Sequence, residues 1–328
     1  MSPEEFKIPE KMVAAVYDAV GPAENMYLTE ITPPLPMTAD VMVRVDYSAL
    51  NPIDVKTRAG GGASPGVLNY PAVIGSDFAG VVVAAPYAAH PLQPGTPVYG
   101  MNPVPRYPGT YAEYTAVPSM SLSRMPTTIG ADIAAAVPLA GMTAWGMVEL
   151  AEVAAGQRVL VHAGAGGVGH FAVQFAALRG AHVIATGSAR NREFLLSLGA
   201  AEVIDYRSER FEEVLRPVDV VIDLIGNVHD NTGTRSLQIL RPGGYLVNAP
   251  SFSWPTMAEE AEAAGVRASL YKVSPDARVL DQITALIDAG KLTVHVDALY
   301  DLADIVQAHN ALEQGHTRGK IVLRIPHD

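Results

Sequence analysis

Arg158-Val-Leu-Val-His-Ala-Gly164-Ala-Gly166-Gly-Val-Gly169 is the stretch on which the fold turns. Its first five residues are a short, nearly continuous apolar run, as in a strand buried on both faces of a parallel sheet. Past the glycines, Val168, Phe171, Ala172 and Phe175 recur at i, i+3, i+4 and i+7, which predicts the apolar face of a helix. Gly164, Gly166 and Gly169 between them have GxGxxG spacing, continued through Gly167 and Val168. The first such glycine permits a tight turn, the second lets a pyrophosphate approach the backbone, and the third lets helix and strand pack closely. The helix N-terminus adds unpaired N–H groups for the anion. GxGxxG alone is a weak signal. With a strand before it and a helix after it, dinucleotide binding is preferred over a merely structural turn.

Downstream, His182-Val-Ile-Ala-Thr, Glu202-Val-Ile-Asp, Val218–Asp223 and Tyr245-Leu-Val-Asn repeat the short apolar run. Alternation of such strands with helices predicts a doubly wound α/β sheet. An NAD enzyme usually carries Asp or Glu about 20 residues after the glycines, on the ribose 2′-hydroxyl. Here Ala185-Thr-Gly-Ser188-Ala-Arg190-Asn-Arg192 has no acid at the strand tip. Ser188 can donate a hydrogen bond to a 2′-phosphate, and Arg190 or Arg192 can pair with its charge, which favours NADPH. The plainer alternative makes Ser188 a helix cap and both arginines solvated.

Upstream, the first 125 or so residues read as β-rich. Val41-Met-Val-Arg-Val-Asp-Tyr-Ser alternates as a half-buried strand should, and apolar runs follow at 79–84 and 111–117. Turn signals separate them at Gly60-Gly-Gly, Gln93-Pro-Gly and Tyr107-Pro-Gly. The tail carries two helical stripes, one of Val279, Ile283, Leu286 and Ile287, the other of Leu302, Ile305, Val306 and Leu312. A strand, Lys320-Ile-Val-Leu-Arg-Ile, follows. The expected domains are 1–125 with 288–328, and 126–287 for the dinucleotide-binding sheet.

Composition narrows the class. The 328 residues suit two domains, and 49% hydrophobic against 17% charged residues excludes global disorder. A net charge of −11 argues against nucleic-acid binding, which needs clustered cations. No apolar run approaches the roughly 20 residues of a membrane-spanning helix, and Met1-Ser-Pro-Glu-Glu-Phe-Lys does not read as a secretory signal. A cytoplasmic protein is expected. The chain has no cysteine, which removes disulfides, Cys-based zinc sites and a thiol nucleophile.

Several stretches then fall in a familiar order: Asn51-Pro-Ile-Asp-Val-Lys56, Pro71-Ala-Val-Ile-Gly-Ser-Asp77-Phe-Ala-Gly80, Gly109-Thr-Tyr-Ala-Glu-Tyr114, Pro138-Leu-Ala-Gly-Met-Thr143-Ala, Gly169-His-Phe-Ala-Val-Gln174 and Arg318-Gly-Lys-Ile-Val-Leu. Together they resemble the zinc-free quinone oxidoreductase branch of the medium-chain dehydrogenase/reductase superfamily over nearly the whole chain. The resemblance implies a GroES-like β-barrel beside a Rossmann domain, with the active site in a cleft between them. Zinc-dependent relatives would have Cys and His where this chain has Asn51 and Ser76, and Ser76-Asp77 stands where they read His-Glu. No metal is expected. By the same likeness Thr143 meets the phosphates or nicotinamide and Tyr206 lies beside the adenosine phosphate. Leu224, Ile225, Gly226, Asn248 and Ala249 lie at strand ends near the cofactor, with core packing the alternative for Leu224 and Ile225. Gly265-Val-Arg-Ala-Ser-Leu-Tyr271 resembles the edge strand through which relatives pair, so a homodimer is expected.

Hydride addition builds negative charge on the substrate oxygen, and without a metal this must meet hydrogen-bond donors. The candidates are Tyr47, Asn51, Lys56 and Tyr70. Asn51 is preferred, holding the nicotinamide carboxamide or the substrate oxygen; Lys56 is second, with a surface lysine as its alternative. Asp54 reads as structural, capping a turn or pairing with Lys56. Phe252 and Trp254 either line a pocket for flat apolar substrates or form a subunit contact. The favoured activity is NADPH-dependent reduction of a quinone or an α,β-unsaturated carbonyl. An enoyl-thioester reductase, a non-catalytic NADPH-binding protein and a zinc alcohol dehydrogenase are the rivals, the last opposed by the missing cysteines.

Overall fold

The computed structural model describes residues 7–106 and 109–327; the turn signal at Tyr107-Pro108 and residues 1–6 lie outside them. The chain divides into two compact units, residues 1–142 with 274–328, and residues 143–273. The sequence-based boundaries near 125 and 288 therefore differ from those of the units. Hydrogen bonding explains the assignment of the helix Ala277–Asp288 to the first unit. Tyr99 Oη donates to the Leu280 carbonyl at 2.9 Å, and the Thr127 N–H donates to Asp288 at 2.8 Å.

In the first unit, strands β1 (Met12–Tyr17) and β2 (Met26–Ile31) form an antiparallel ribbon. Strands β3 (Asp40–Ala49), β4 (Asp77–Ala84), β5 (Pro97–Met101), β6 (Tyr114–Pro118) and β7 (Leu122–Arg124) join a seven-stranded sheet with Val296–Asp301 and Lys320–Arg324. β3 is its hub. β4 pairs along it, while β6 pairs with residues 40–44 and the strand Lys320–Arg324 with residues 47–49. Successive side chains of a strand point to opposite faces. Val41, Val43 and Val45 accordingly enter the main core with Phe78, Val82 and Leu323, while Met42 packs the other way against Val83 and Ala116. The pairing of Lys320–Arg324 with β3 brings Lys320 to Leu50 and Asn51, just beyond the end of β3.

The second unit is a six-stranded, wholly parallel sheet. Its strands are β8 (Arg158–Val161), β9 (His182–Gly187), β10 (Glu202–Asp205), β11 (Val218–Asp223), β12 (Leu240–Asn248) and β13 (Arg267–Leu270). They lie in the order β10-β9-β8-β11-β12-β13. This is the doubly wound order 3-2-1-4-5-6, whose direction switches between β8 and β11. Ligands of such sheets bind beyond the carboxyl ends of the strands at that switch, where the glycine turn after β8 sits. Leu160, Ile184, Val221 and Leu246 form the core beside Trp254, which is 6% exposed.

Candidate active site

At the glycine turn, space rather than backbone freedom dictates the residues. None of Gly164, Gly166, Gly167 and Gly169 has a positive φ; the left-handed residue is Ala163, at φ 49°. A Cβ on Gly169 would lie 2.2 Å from the Ala163 carbonyl oxygen, so only glycine lets the helix Gly169–Leu178 start this close to the turn. A Cβ on Gly164 would press on Ala185 and Leu195 at 2.9 and 3.0 Å. Gly164 is thus a packing residue as well as a turn residue. Gly166 differs, since its Cβ would meet only the Ala163 oxygen, at 3.3 Å. The N–H groups of Ala165, Gly167 and Val168 donate to no acceptor among the described residues, and Val168 caps the helix without a side-chain bond. Open space at Gly166 and free donors beside it fit a pyrophosphate. Beneath the turn, buried His162 bridges Thr186 and Ser236 at 3.2 and 2.8 Å, and burial pushes its pKa down to about 4, so it is neutral.

The ribose end of the site lies after β9 and β10. Ser188 is buried and its side chain caps no helix N–H, contrary to the plainer of its two readings. Arg190 is exposed. Arg192 Nη1 donates to the Val203 carbonyl at 2.9 Å, which ties it to β10. The Tyr206 ring is 57% exposed, its N–H donates to the Gly187 carbonyl at 3.3 Å, and the Arg207 guanidinium stands 5.8 Å from the ring centre. Arg207 is a cation that the sequence reading passed over.

At the switch of the sheet, Asp223 organises the other loops. Its carboxylate accepts the N–H groups of Ile225 and Gly226, each at 2.9 Å, and the Asn248 amide at 2.7 Å. Leu224 and Ile225 are partly exposed at this turn and Gly226 has φ +66°. Asn248 is 2% exposed, and its amide N–H is directed to Asp223. Ala249 is partly exposed and Thr143 is 6% exposed on the helix Pro138–Leu150. Phe252 is 86% exposed at φ 61°, whereas Trp254 is a core residue donating to Glu260 at 3.0 Å. Trp254 therefore packs inside the second unit, a placement that neither of its two expected roles foresaw.

In the first unit, Asn51 opens the helix Pro52–Arg58 and is 1% exposed. Its Nδ2 donates to Asp77 Oδ2 at 2.9 Å, and its Oδ1 accepts from Lys320 Nζ at 2.5 Å. Both ends of the amide are committed inside the protein, so Asn51 does not present a donor to substrate or nicotinamide as expected. Lys320 also donates to the Leu50 carbonyl at 2.7 Å and to Asp77 at 3.2 Å. Burial pushes the Asp77 carboxyl up, with Lys320 pulling it back. Lys56 is exposed, Tyr47 half-buried, and Tyr70 43% exposed with its ring edge-on to Tyr17 at 5.5 Å. Asp54 does not pair with Lys56. Its Oδ2 accepts the Asn51 N–H at 2.8 Å and the Tyr111 hydroxyl at 3.0 Å. A cavity of about 200 Å³ opens on Asp54 and Thr57, walled by Val67, Ile74, Val104 and Arg106.

Sequence reasoning missed Lys320, Asp77, Tyr111 and Asp223 as site builders. The available signal was a charged residue at the end of an otherwise apolar strand, as at Lys320-Ile-Val-Leu and Val220-Val-Ile-Asp223. Such a residue is buried only with a partner.

Comparison with known proteins agrees with this architecture. The family description "Alcohol dehydrogenase GroES-like domain" matches residues 38–127, and "Zinc-binding dehydrogenase" matches residues 198–323. An NADPH-dependent alkenal/one oxidoreductase of Arabidopsis thaliana is 33% identical, across 96% of this chain and 80% of that protein. The chain belongs to the medium-chain dehydrogenase/reductase superfamily. Another member, the 2-methylene-furan-3-one reductase of Solanum lycopersicum, is 32% identical, across 97% of this chain and 80% of its own length. The quinone oxidoreductase of Coxiella burnetii superposes with a TM-score of 0.90 at 34% identity, covering 96% of this chain and all of that one. As a medium-chain dehydrogenase/reductase, the protein is an oxidoreductase that uses a nicotinamide cofactor.

Some members of this superfamily bind zinc, as the second description says. The residues here do not fit that metal: the chain has no cysteine, and the Asn51 oxygen and Asp77 carboxylate already hold the Lys320 ammonium. Among the described residues no group of three or more His, Asp or Glu could hold a metal ion. No helix among them is long and apolar enough to cross a membrane.

Proposed function

We propose that the protein reduces a quinone or an α,β-unsaturated carbonyl with NADPH, without zinc. The observation that carries this reading is the Lys320 ammonium, 2.5 Å from the Oδ1 of Asn51, the residue that by resemblance stands where zinc-dependent relatives would have a cysteine. A site whose polar groups already enclose a cation has no Lewis acid to offer an isolated ketone. Conjugate reduction asks less, because the enolate charge is spread over carbon and oxygen. The names of the Arabidopsis and tomato relatives point to the same substrate class.

The bound cofactor supplies the hydride. The chain's own residues bind and orient. Ala165, Gly167 and Val168 offer backbone donors to the pyrophosphate, with open space at Gly166. Ser188, exposed Arg190 and the Tyr206–Arg207 pair line the approach to the ribose, where no acidic residue stands at the tip of β9 to reject a 2′-phosphate. That supports NADPH over NADH. Asn51 serves as a positioning residue, and Lys56, Tyr47 and Tyr70 remain the exposed or half-exposed donors for the substrate oxygen. A cavity of about 200 Å³ lies below the roughly 300–1,000 Å³ of drug-sized ligand sites, which favours a compact enone or quinone. β13 ends the sheet as an open edge, which supports pairing of two copies there.

The test is NADPH oxidation with an ortho-quinone, a para-quinone, a medium-chain enone and crotonyl-CoA, with NADH in parallel. Faster turnover of enone or quinone with NADPH than with NADH is the expected result. Preference for crotonyl-CoA would move the enzyme to the thioester reductases, and binding without turnover of any acceptor would overturn the reading.

A further inference from the structure

We propose that Asp54 is the catalytic acid of this reduction, delivering a proton into the cavity of the first unit. The proposal rests on the conjugate-reductase reading above and adds the proton donor that reading leaves unnamed.

Asp54 is 3% exposed and is one of the residues that line the cavity. Its Oδ2 is fixed by the Asn51 N–H and the Tyr111 hydroxyl, while Oδ1 takes part in no hydrogen bond among the described residues. One oxygen is thus anchored, and the other can carry a proton toward a space walled largely by Val67, Ile74 and Val104. The other cavity-lining charge, Arg106, is ion-paired with Asp40. The surroundings favour the protonated form. Burial outweighs all else and pushes the Asp54 carboxyl up to about 7, with Asp77 adding to the rise; the Asn51 N–H, Lys320 and Tyr111 oppose it. His309, edge-on to the Tyr111 ring at 5.8 Å, is held neutral by burial and adds no charge. A carboxylic acid kept neutral in an apolar site can act as a donor at neutral pH.

The step balances. Hydride reaching the β-carbon drives the alkene electron pair onto the α-carbon and carbonyl oxygen. The Asp54 O–H bond then breaks, a C–H bond forms at the α-carbon, and the carboxylate left behind regains a proton from water at the cavity mouth. A quinone makes a smaller demand, because its two-electron product is a phenolate that bulk water protonates.

The experiment compares Asp54→Asn with the wild type, using NADPH and either a medium-chain enone or a para-quinone. Enone kcat should fall by about 10²–10⁴-fold, the usual contribution of a general acid. NADPH affinity, read from nicotinamide fluorescence, should stay within about threefold, and quinone kcat should fall by a smaller factor than enone kcat. Wild-type enone kcat should decline as pH rises through about 7, a limb absent from Asp54→Asn. Tyr111→Phe gives a second readout: it removes a hydrogen bond that favours the carboxylate, so the limb should move to higher pH. An Asp54→Asn enzyme with enone kcat within about fivefold of wild type and an unchanged limb overturns the proposal. Should that variant not fold, an unmoved limb in Tyr111→Phe does the same. A wild type that reduces quinone but no enone overturns the Asp54 role alone; one that reduces neither overturns the underlying reading as well.

Discussion

Lys320 Nζ lies 3.2 Å from Asp77 Oδ2, with the two side chains only 4% and 0% exposed. A buried ion pair of this kind stabilises little relative to an apolar pair of the same shape, but removing one partner strands the other charge. Lys320→Met should therefore destabilise the protein by about 3–5 kcal/mol. The double variant Lys320→Met with Asp77→Leu should be less destabilised than the single one. Urea unfolding followed by circular dichroism measures both, and a single variant as stable as wild type would contradict the pairing.

The glycine turn separates two kinds of loss. Gly169→Ala forces a Cβ to 2.2 Å from the Ala163 oxygen, an overpacking that should cost about 1–3 kcal/mol in stability. Gly166→Ala meets nothing nearer than 3.3 Å, so its melting temperature should hardly move. Its NADPH affinity should fall by about tenfold or more, or roughly 1.4 kcal/mol, because the methyl group occupies space the pyrophosphate needs. Thermal unfolding and cofactor titration on the same two preparations decide the matter.

At the ribose end, Ser188→Asp restores an acid at the tip of β9. The carboxylate should repel a 2′-phosphate and accept a 2′-hydroxyl, lowering the NADPH-to-NADH ratio of kcat/KM by about 100-fold. Arg190→Ala should lower the ratio less. Steady-state kinetics with both cofactors checks each variant.

His309 is wholly buried, and among the described residues neither ring nitrogen has a hydrogen-bond partner. Burial lowers its pKa from 6.5 to about 3. Between those values the unfolded chain binds a proton that the folded chain refuses. Stability therefore falls by about 1.4 kcal/mol per unit as pH drops below about 6.5, and this group has no effect above it. His309→Leu removes both the titration and two unsatisfied polar atoms. Its stability should match or exceed wild type at pH 7.5, and the loss between pH 7.5 and 5 should be smaller. His162, also depressed, will keep part of the acid sensitivity.

The sheet of the second unit was legible because parallel strands buried on both faces leave continuous apolar runs, and each run from Arg158 to Asn248 became a strand. The glycine motif was legible as a motif, though its spatial logic at Gly164 and Ala163 was not. Site residues fared differently. Asn51 was found by its place in a familiar stretch, yet its role depends on Lys320, and no pattern local to either residue reports their proximity. Asp54 read as a cap, and it does accept the Asn51 N–H; the cavity it lines emerges only once residues 66–69, 72–75 and 103–106 fold around it. Trp254 was misjudged because an aromatic in a loop after a strand suits a pocket and a core equally well until packing is seen.

The strand Lys320–Arg324 carries a consequence for how the chain is made. Lys320 lies 269 positions after Asn51, with the whole of the continuous second unit between them. On a ribosome adding about 5–20 residues per second, Asn51 waits on the order of tens of seconds for that ammonium. Residues 143–273 can finish folding in the interval, whereas the first sheet stays short of two strands and exposes its unpaired edge. Nascent chains should therefore pass through a period in which the dinucleotide fold is complete and the pocket-bearing unit depends on chaperone shelter.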